Sequence, residues 1–421
     1  MMIRASALYM VIIMALVIAI LCSSLIVVAY FYKIQYQLKS RYDQLSYNVS
    51  SGVNILLAPG GADRYQQEKS FSLFGGEGDS VTLLRKPWGI YDVGIARSFT
   101  QQDTLRRVFT IGHEVDSANW AALYLIDEDR PLSVSGKTVV KGTAYIPKAG
   151  VRAAYVDNQA YEGDERMITG KKIDSKKDLP ELNRQRLDEL KKLLSHLEMD
   201  EMQDIKQDSI YNSFEQPVRY LYFGKTVQTL SNIRLKANIV ILSDTTIKID
   251  STVHLENVII AARSIKISSG FQGKCQLFAR DSIIIGDRCS FNYPSAIGTL
   301  KFDTDDQSRL SILSIGNSCS LTGTLFTWQQ TKSRVMPVLK CGDNLVVNGQ
   351  IYSCGAFAYK AKPVINGSIY AARFLYQNNF TAFENYLINF TIDEKKLSPY
   401  YLTGMLLPAA AKPTKVLQWL K

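Results

Sequence analysis

Histidine is scarce in this sequence, and its scarcity removes several enzyme classes at once. The three histidines, His113, His196 and His254, lie far apart in a chain of 421 residues. His113-Glu114 has no second histidine at helical spacing, which excludes a His-Glu-x-x-His zinc protease. No Ser-His-Asp or Cys-His arrangement can be placed, and no glycine-rich phosphate loop or set of metal ligands has a recognised spacing. Concentrated charge is missing too. The net charge is +10, but Lys and Arg are scattered, with nothing longer than pairs such as Lys171-Lys172 and Lys176-Lys177. That pattern gives a mildly basic surface tolerant of anionic lipid or polysaccharide, and no nucleic-acid partner is expected. No catalytic, cofactor-binding or metal residue is assigned, no cofactor is expected, and the chain reads as non-enzymatic. Disorder is excluded by what is present: 23 Tyr and 17 Phe can bury enough surface to hold a fold.

A second absence is local. No charged residue stands between Ala5 and Tyr32. At ~1.5 Å per residue this stretch exceeds the ~20 residues that cross a hydrocarbon core. It is too long for the apolar core of a signal peptide, and no small-x-small cleavage site precedes Lys33. Cys22 follows Leu21, where a lipidation site needs a small residue, so it reads as a buried thiol. An uncleaved, single-pass membrane helix is expected. Arg4 and the N-terminal amine flank one end, while Lys33, Lys39 and Arg41 flank the other. Counted alone, these charges lean towards a cytoplasmic body.

Past Tyr32, apolar residues recur at Ile34, Leu38, Tyr42, Leu45, Val49, Val53 and Leu56, spacings that share one helical face. Pro59-Gly60-Gly61 ends the pattern. One helix of roughly fifty residues is expected, membrane-buried first and amphipathic after. This layout resembles the first helix of type IV pilins and of the minor pseudopilins of type II secretion systems. The matching residues are the short leader Met1-Met2-Ile3-Arg4 and the opening Ala5-Ser6-Ala7-Leu8. The resemblance implies a leader ending at Arg4 or Ala5, although no Gly precedes the apolar run. Tyr9 or Met10 stands where most pilins carry Glu. It also implies an inner (plasma) membrane location, a body outside the cytoplasm, and other subunits of an envelope assembly as partners. A plain signal anchor with a coiled stalk explains the same residues.

Short apolar runs at Val81–Leu84, Ile90–Val93, Val108–Ile111 and Trp120–Ile126 predict a small β domain. Asp127-Glu128-Asp129 reads as a solvated turn. Further on, an internal repeat decides the fold class. Thr246-Ile247-Lys248-Ile249 returns as Ser264-Ile265-Lys266-Ile267 and as Ser282-Ile283-Ile284-Ile285, eighteen residues apart. A six-residue series, Ile247, Val253, Ile259, then Ile265, Phe271, Leu277, then Ile283, Cys289, Ser295, predicts a three-sided parallel β-helix with inward stacks. Asn348-Gly349-Gln350-Ile351-Tyr352 matches Thr322–Phe326 and Asn366–Tyr370, with an early copy at Lys141–Tyr145. The recurring Gly is expected at corners that need positive φ.

Asp178-Leu-Pro-Glu181 predicts a capping box, followed by Leu187, Leu190, Leu193, Leu194 and Leu197 on one helical face, with His196 at its boundary. The expected organisation is 1–57 transmembrane and stalk helix, 62–130 small β domain, 131–164 first β-helix segment, 165–216 helical insertion, 217–378 parallel β-helix and 379–421 C-terminal tail. The fold class is mainly β. The repeat resembles bactofilins, the polymer-forming bacterial β-helix proteins, over about residues 230–375. That likeness favours a right-handed coil over the hexapeptide acyltransferases, because each apolar residue is followed two on by another. An acyltransferase of that shape needs a His base, and His254 is expected to point outward, one residue after inward Val253.

Asp303-Thr-Asp-Asp306 lacks the Gly and terminal Glu of an EF-hand. Cys289 and Cys319 share the frame Gly-x-x-Cys-Ser and should stack on adjacent coils, ~4.8 Å apart, as core-filling thiols or as a disulfide. The expectation is a minor subunit of a pilus-like or secretion apparatus. A membrane-tethered bactofilin-like scaffold and an envelope polysaccharide protein are the alternatives. For the last, a row of outward aromatics and carboxylates would be the mark, and none is legible.

Overall fold

The structure is a computed structural model and describes residues 3–73, 75, 79–100, 103–115, 121–195, 208–378, 380–407 and 413–420. Strand accounts for 49% and helix for 18%, so the chain is mainly β, with one long apolar helix at its start. It divides into two compact units, Met1–Lys86 with Gly94–Arg107, and Pro87–Val93 with Val108–Lys421.

In the first unit, α1 spans Ile3–Leu57. Its apolar side chains from Leu8 to Tyr32 stand in the open. The amphipathic stripe is used only in part. Leu45, Val49, Val53 and Leu56 are buried, together with the polar Asn48, while Leu38 and Tyr42 remain 50% and 55% exposed. The packed turns face Val81, Leu83 and Ala96, and Gly52 permits the approach: a Cβ there would fall 2.8 Å from Leu83 Cδ2. Strand Lys69–Phe71 runs antiparallel to Asp79–Trp88, with Phe71 opposite Val81. Buried Arg85 donates from Nη1 to Leu56 O at 2.8 Å, satisfying a carbonyl that the helix end would leave without a partner. Gly60, at φ +79°, then turns the chain into the short α2, Gly61–Arg64.

The second unit is built on a 20-stranded, almost wholly parallel sheet of solenoid type. Strands Ile239–Ile249, His254–Ile267 and Gln272–Ile285 follow one another in register. Ile247 pairs with Ile265 and Ile265 with Ile283, and Ile249, Ile267 and Ile285 form a parallel row. All six lie in one continuous apolar core, while Lys248 and Lys266 point to solvent, as the two-residue period of a strand requires. The separation of stacked residues is 18 between Ser264 and Ser282, 30 between Ser290 and Ser320, 26 between Thr322 and Asn348, and 18 again between Asn348 and Asn366.

The six-residue series fails at two points, Ile259 and Ser295: Leu277 pairs onward with Ile297, and Ser295 with Gly323. Ile260, not Ile259, pairs with Leu277, because the register shifts between Glu256 and Val258. A bulge inserts one residue and turns the following side chains over, so Val258, Ile260 and Ala262 enter the core. The corner glycines behave as expected: Gly142, Gly323, Gly349 and Gly367 have φ between +127° and +149°. A Cβ on Gly349 would sit 2.0 Å from Gly323 O, and one on Gly367 2.0 Å from Gly349 O.

Of segment 131–164, Val139–Lys141 and Ala144–Ile146 belong to this sheet but stack on the C-terminal side, while Leu132–Ser135 and Val151–Ala153 form a separate three-stranded parallel sheet with Tyr386–Ile388. Thr391–Asp393 pairs with Val364–Gln377 on one side and with Val139–Lys141 on the other. Leu123–Leu125, expected in the small β domain, also pairs with Val364–Gln377 and then with Ala144–Ile146. Trp120 lies outside the described residues. The stretch 379–421 carries several short strands, and its last two, Leu402–Thr403 and Thr414–Leu420, pair antiparallel with Asp103–Glu114 at His113 and its neighbours.

Helix α3 spans Arg184–Ser195. It starts later than the capping box predicts, because Asn183 Oδ1 accepts the Arg186 N–H at 3.3 Å and so acts as the N-cap. Asp178 instead pairs with Lys332. Leu187, Leu190 and Leu194 are buried, whereas Leu197 and His196 lie outside the described residues.

Candidate functional site

Three places gather chemistry in the second unit. The first is a clamp on the turn Trp88–Asp92. Gln276 sits on an outward position of its strand, between Cys275 and Leu277 of the core, yet it is buried. Its Oε1 accepts the Ile90 N–H at 2.8 Å and its Nε2 donates to Trp88 O at 2.9 Å. Gly89 leaves room, since a Cβ there would fall 2.0 Å from Gln276 Oε1. From α3, Arg186 donates to Gly89 O at 3.2 Å and Tyr91 O at 3.1 Å, and forms an ion pair with Asp92. Both partners of that pair are almost fully buried. These contacts use the donors and acceptors of Gln276, Arg186 and Asp92 on the protein itself, which makes the clamp a packing device.

The second place is an outward aromatic row. Phe326 pairs with Tyr352, Tyr352 with Tyr370, Tyr370 with Tyr124, and Tyr124 with Tyr145 on successive coils. Two neighbours, Tyr124–Tyr145 and Tyr124–Tyr370, stack with centroids 5.2 and 5.6 Å apart and rings 23° and 18° from parallel. Sequence reasoning missed this row because Tyr124 and Tyr145 come from a segment more than two hundred residues before Tyr352 and Tyr370. The only advance signal was the early copy of the Gly motif at Lys141–Tyr145. Stretch 175–182 crosses the row: Tyr352 Oη donates to Pro180 O at 3.1 Å and Tyr124 Oη to Asp178 O at 3.2 Å. Burial raises the pKa of Tyr124, and pushes Tyr370 up to about 12. Ring faces turned on one another and hydroxyls held by the backbone leave little for a sugar to stack on.

The third place is the pair Cys289 and Cys319. Both are buried free thiols, and Ser320 N donates to Cys289 O at 2.9 Å, so they stack on adjacent coils as expected. Cys289 N–H donates to Cys319 Sγ at 3.4 Å. The hydrogen bond from the Cys319 thiol brings the Cys289 pKa down to about 7 against its burial, and the same contact raises that of Cys319.

The remaining residues singled out from sequence fall elsewhere. His254 is exposed on the strand that follows Val253. His113 is half-buried in Asp103–Glu114, opposite Thr403 and Thr414. In the acidic run, Asp305 accepts the Phe302 N–H and faces Arg280, while Asp306 faces Arg309 and Ser308. Those carboxylates are engaged by cations and amides of the chain. Among the described residues no group of three or more His, Cys, Asp or Glu converges to hold a metal ion. Comparison with protein-family models, with curated proteins and with solved structures gives no match.

Proposed function

We propose that this chain is a non-enzymatic, membrane-anchored assembly protein of the bacterial cell envelope, a minor subunit of pilin-like or pseudopilin-like kind, with its body outside the cytoplasm. The observation that carries the reading is the division along α1. Its apolar window has a mean hydropathy of 3.2 with none of it buried, and the turns after Arg41 bury Leu45, Val49, Val53 and Leu56 in the first unit. An apolar helix left bare over more than ~20 residues is stable in lipid and not in water. A helix that serves lipid with one half and a β domain with the other suits a subunit held in a membrane until it assembles.

The solenoid is read as a three-sided, right-handed β-helix. In its support, strand His254–Ile267 feeds three separate pairing runs, at Arg234–Lys236, Val240–Ser243 and Thr246–Ile249. A membrane-tethered scaffold is the second reading, favoured by Lys33, Lys39 and Arg41 on the body side of the apolar stretch against Arg4 on the other.

Alkaline phosphatase and a fluorescent protein fused after Leu57 and after Lys421 separate the two. Phosphatase-active, dark fusions are the expected result. Fluorescent, phosphatase-negative fusions at both points overturn the subunit reading in favour of the scaffold. Mass spectrometry of the membrane-bound chain reads the leader directly: a mature terminus just after Arg4 or Ala5 is expected, and an intact Met1 reduces α1 to a plain signal anchor.

A further inference from the structure

We propose that Cys289 and Cys319 are positioned to close into a disulfide that staples the longest coil of the solenoid. The two occupy one column of buried corner residues, tied by backbone hydrogen bonds from Ser290 N to Phe271 O, Ser320 N to Cys289 O, Val346 N to Cys319 O and Val364 N to Leu345 O. Neighbouring parallel strands lie ~4.8 Å apart, within the ~4.4–6.8 Å Cα window of a disulfide. Both side chains turn into the same space. The Cys319 sulfur accepts the Cys289 N–H at 3.4 Å. The Cys289 thiol also reaches Ser268 O at 3.3 Å, and the Cys319 thiol Gly286 O at 3.2 Å.

Their place in the coil sequence gives the bridge its purpose. Stacked positions are 30 residues apart between Ser290 and Ser320, against 18 or 26 at the other measured steps. The excess is the extruded corner that carries Phe302 to Ser311. The entropy cost of closing a loop rises with its length, and a cross-link removes most where the loop is longest. Among the solenoid cysteines, burial drives the thiol pKa of Cys275 and Cys341 upward, whereas that of Cys289 is lowered to about 7. Cys289 is therefore the sulfur that carries thiolate near neutral pH.

The step is thiol–disulfide exchange with an external disulfide, such as oxidised glutathione or a protein oxidant. The Cys289 thiolate attacks one sulfur of that disulfide and expels a thiolate. Cys319 then loses its proton and attacks Cys289 Sγ in the mixed disulfide, expelling the second thiolate. Two electrons leave the protein, and the external disulfide becomes two thiols.

The test uses the full chain in detergent, in glutathione buffers of graded ratio. It is run at a urea concentration where N-ethylmaleimide labels both cysteines while the β signal in circular dichroism persists. Acid quenching, alkylation and peptide mapping then follow. The expected product is a peptide pair joining Cys289 to Cys319, lost with dithiothreitol and in Cys319→Ala. The oxidised chain should melt roughly 5 °C above the reduced one, and Cys289→Ala/Cys319→Ala should melt alike in both buffers. Should the double variant fail to fold, the peptide map of the unaltered chain decides alone. Both cysteines recovered fully alkylated from oxidising buffer, or joined instead to Cys275, Cys341 or Cys354, overturn the proposal.

Discussion

Ile265 and Lys266 are adjacent in sequence and face opposite environments. Ile265 is fully buried between Ile247 and Ile283, and Lys266 stands exposed between Lys248 and Ile284. Ile265→Ala removes buried methyl groups from a stack that cannot collapse, since the coils above and below are fixed by backbone hydrogen bonds. A loss of ~2–5 kcal/mol is expected, against about ±0.5 kcal/mol for Lys266→Ala. Thermal melts of the full chain in detergent compare the two, and equal midpoints sink the eighteen-residue register. Arg186 is the contrasting case. Although charged, it is buried on α3 against Asp92. Arg186→Met leaves the Asp92 carboxylate without its cation, and losing one partner of a buried pair costs ~3–5 kcal/mol. Replacing both, as Arg186→Met/Asp92→Leu, should recover part of that loss. A double variant no more stable than the single one would mean that the guanidinium bonds to Gly89 O and Tyr91 O matter more than the ion pair.

At the scale of elements, what could be read in advance is what repeats locally. The Ile rows follow from a period within one stretch of chain, and the corner Gly from a motif that recurs with an aromatic residue three positions on. Three features lacked such a signal. The bulge between Glu256 and Val258 obeys the strand period on either side and breaks it by one residue, so a fixed six-residue count assigns Ile259 to the wrong face. The stripe on α1 was legible as a stripe, but nothing in it says that cover begins only at Leu45; that depends on where the strands of the first unit reach. Helix α3 begins at Arg184 because Asn183 caps it, and the Asp178-to-Glu181 pattern upstream is equally good on paper.

The corner glycines are fixed by packing as well as by backbone conformation. Gly349 lies between Gly323 and Gly367 in register, with φ +149° and its missing Cβ aimed at Gly323 O. Gly349→Ala meets both a backbone carbonyl and a disfavoured φ, and neither can yield without parting two coils. A destabilisation of about 2 kcal/mol or more is expected, whereas Gly150→Ala, with open space around it, has only its positive φ to accommodate. Denaturant midpoints for the pair decide whether the Gly is a packing requirement or only a turn preference.

Across the whole solenoid the chain order and the stacking order disagree. Strands run in sequence from Ser209–Asn212 to Val364–Gln377, and the stack then continues through Thr391–Asp393 into Val139–Lys141 and Ile168–Thr169, segments made much earlier. The joint is carried by Leu123–Leu125 against Ile369–Ala371 and by a few residues of what the sequence presents as a tail. Leu387, Ile388, Phe390 and Ile392 are all buried in the common core, and Tyr386–Ile388 pairs with Leu132–Ser135. At ~1.5–3 kcal/mol for each buried side chain, those four contribute on the order of 10 kcal/mol, within the ~5–15 kcal/mol that is the net stability of a typical domain. Ending the chain after Asn378 should therefore leave segment 121–174 held only by Leu123–Leu125 against Ile369–Ala371, without the pairings to Thr391–Asp393 and Tyr386–Ile388. Limited trypsin digestion should cut first at Lys141, Arg152 or Lys172, positions protected or ordered by pairing in the full chain. Ending it after Lys412 removes only the half-buried strand Thr414–Leu420 and should leave that segment resistant. If the chain ending at Asn378 resists trypsin there as the full chain does, the early segment stands without the C-terminal strands, and pairing with the tail is not what holds it.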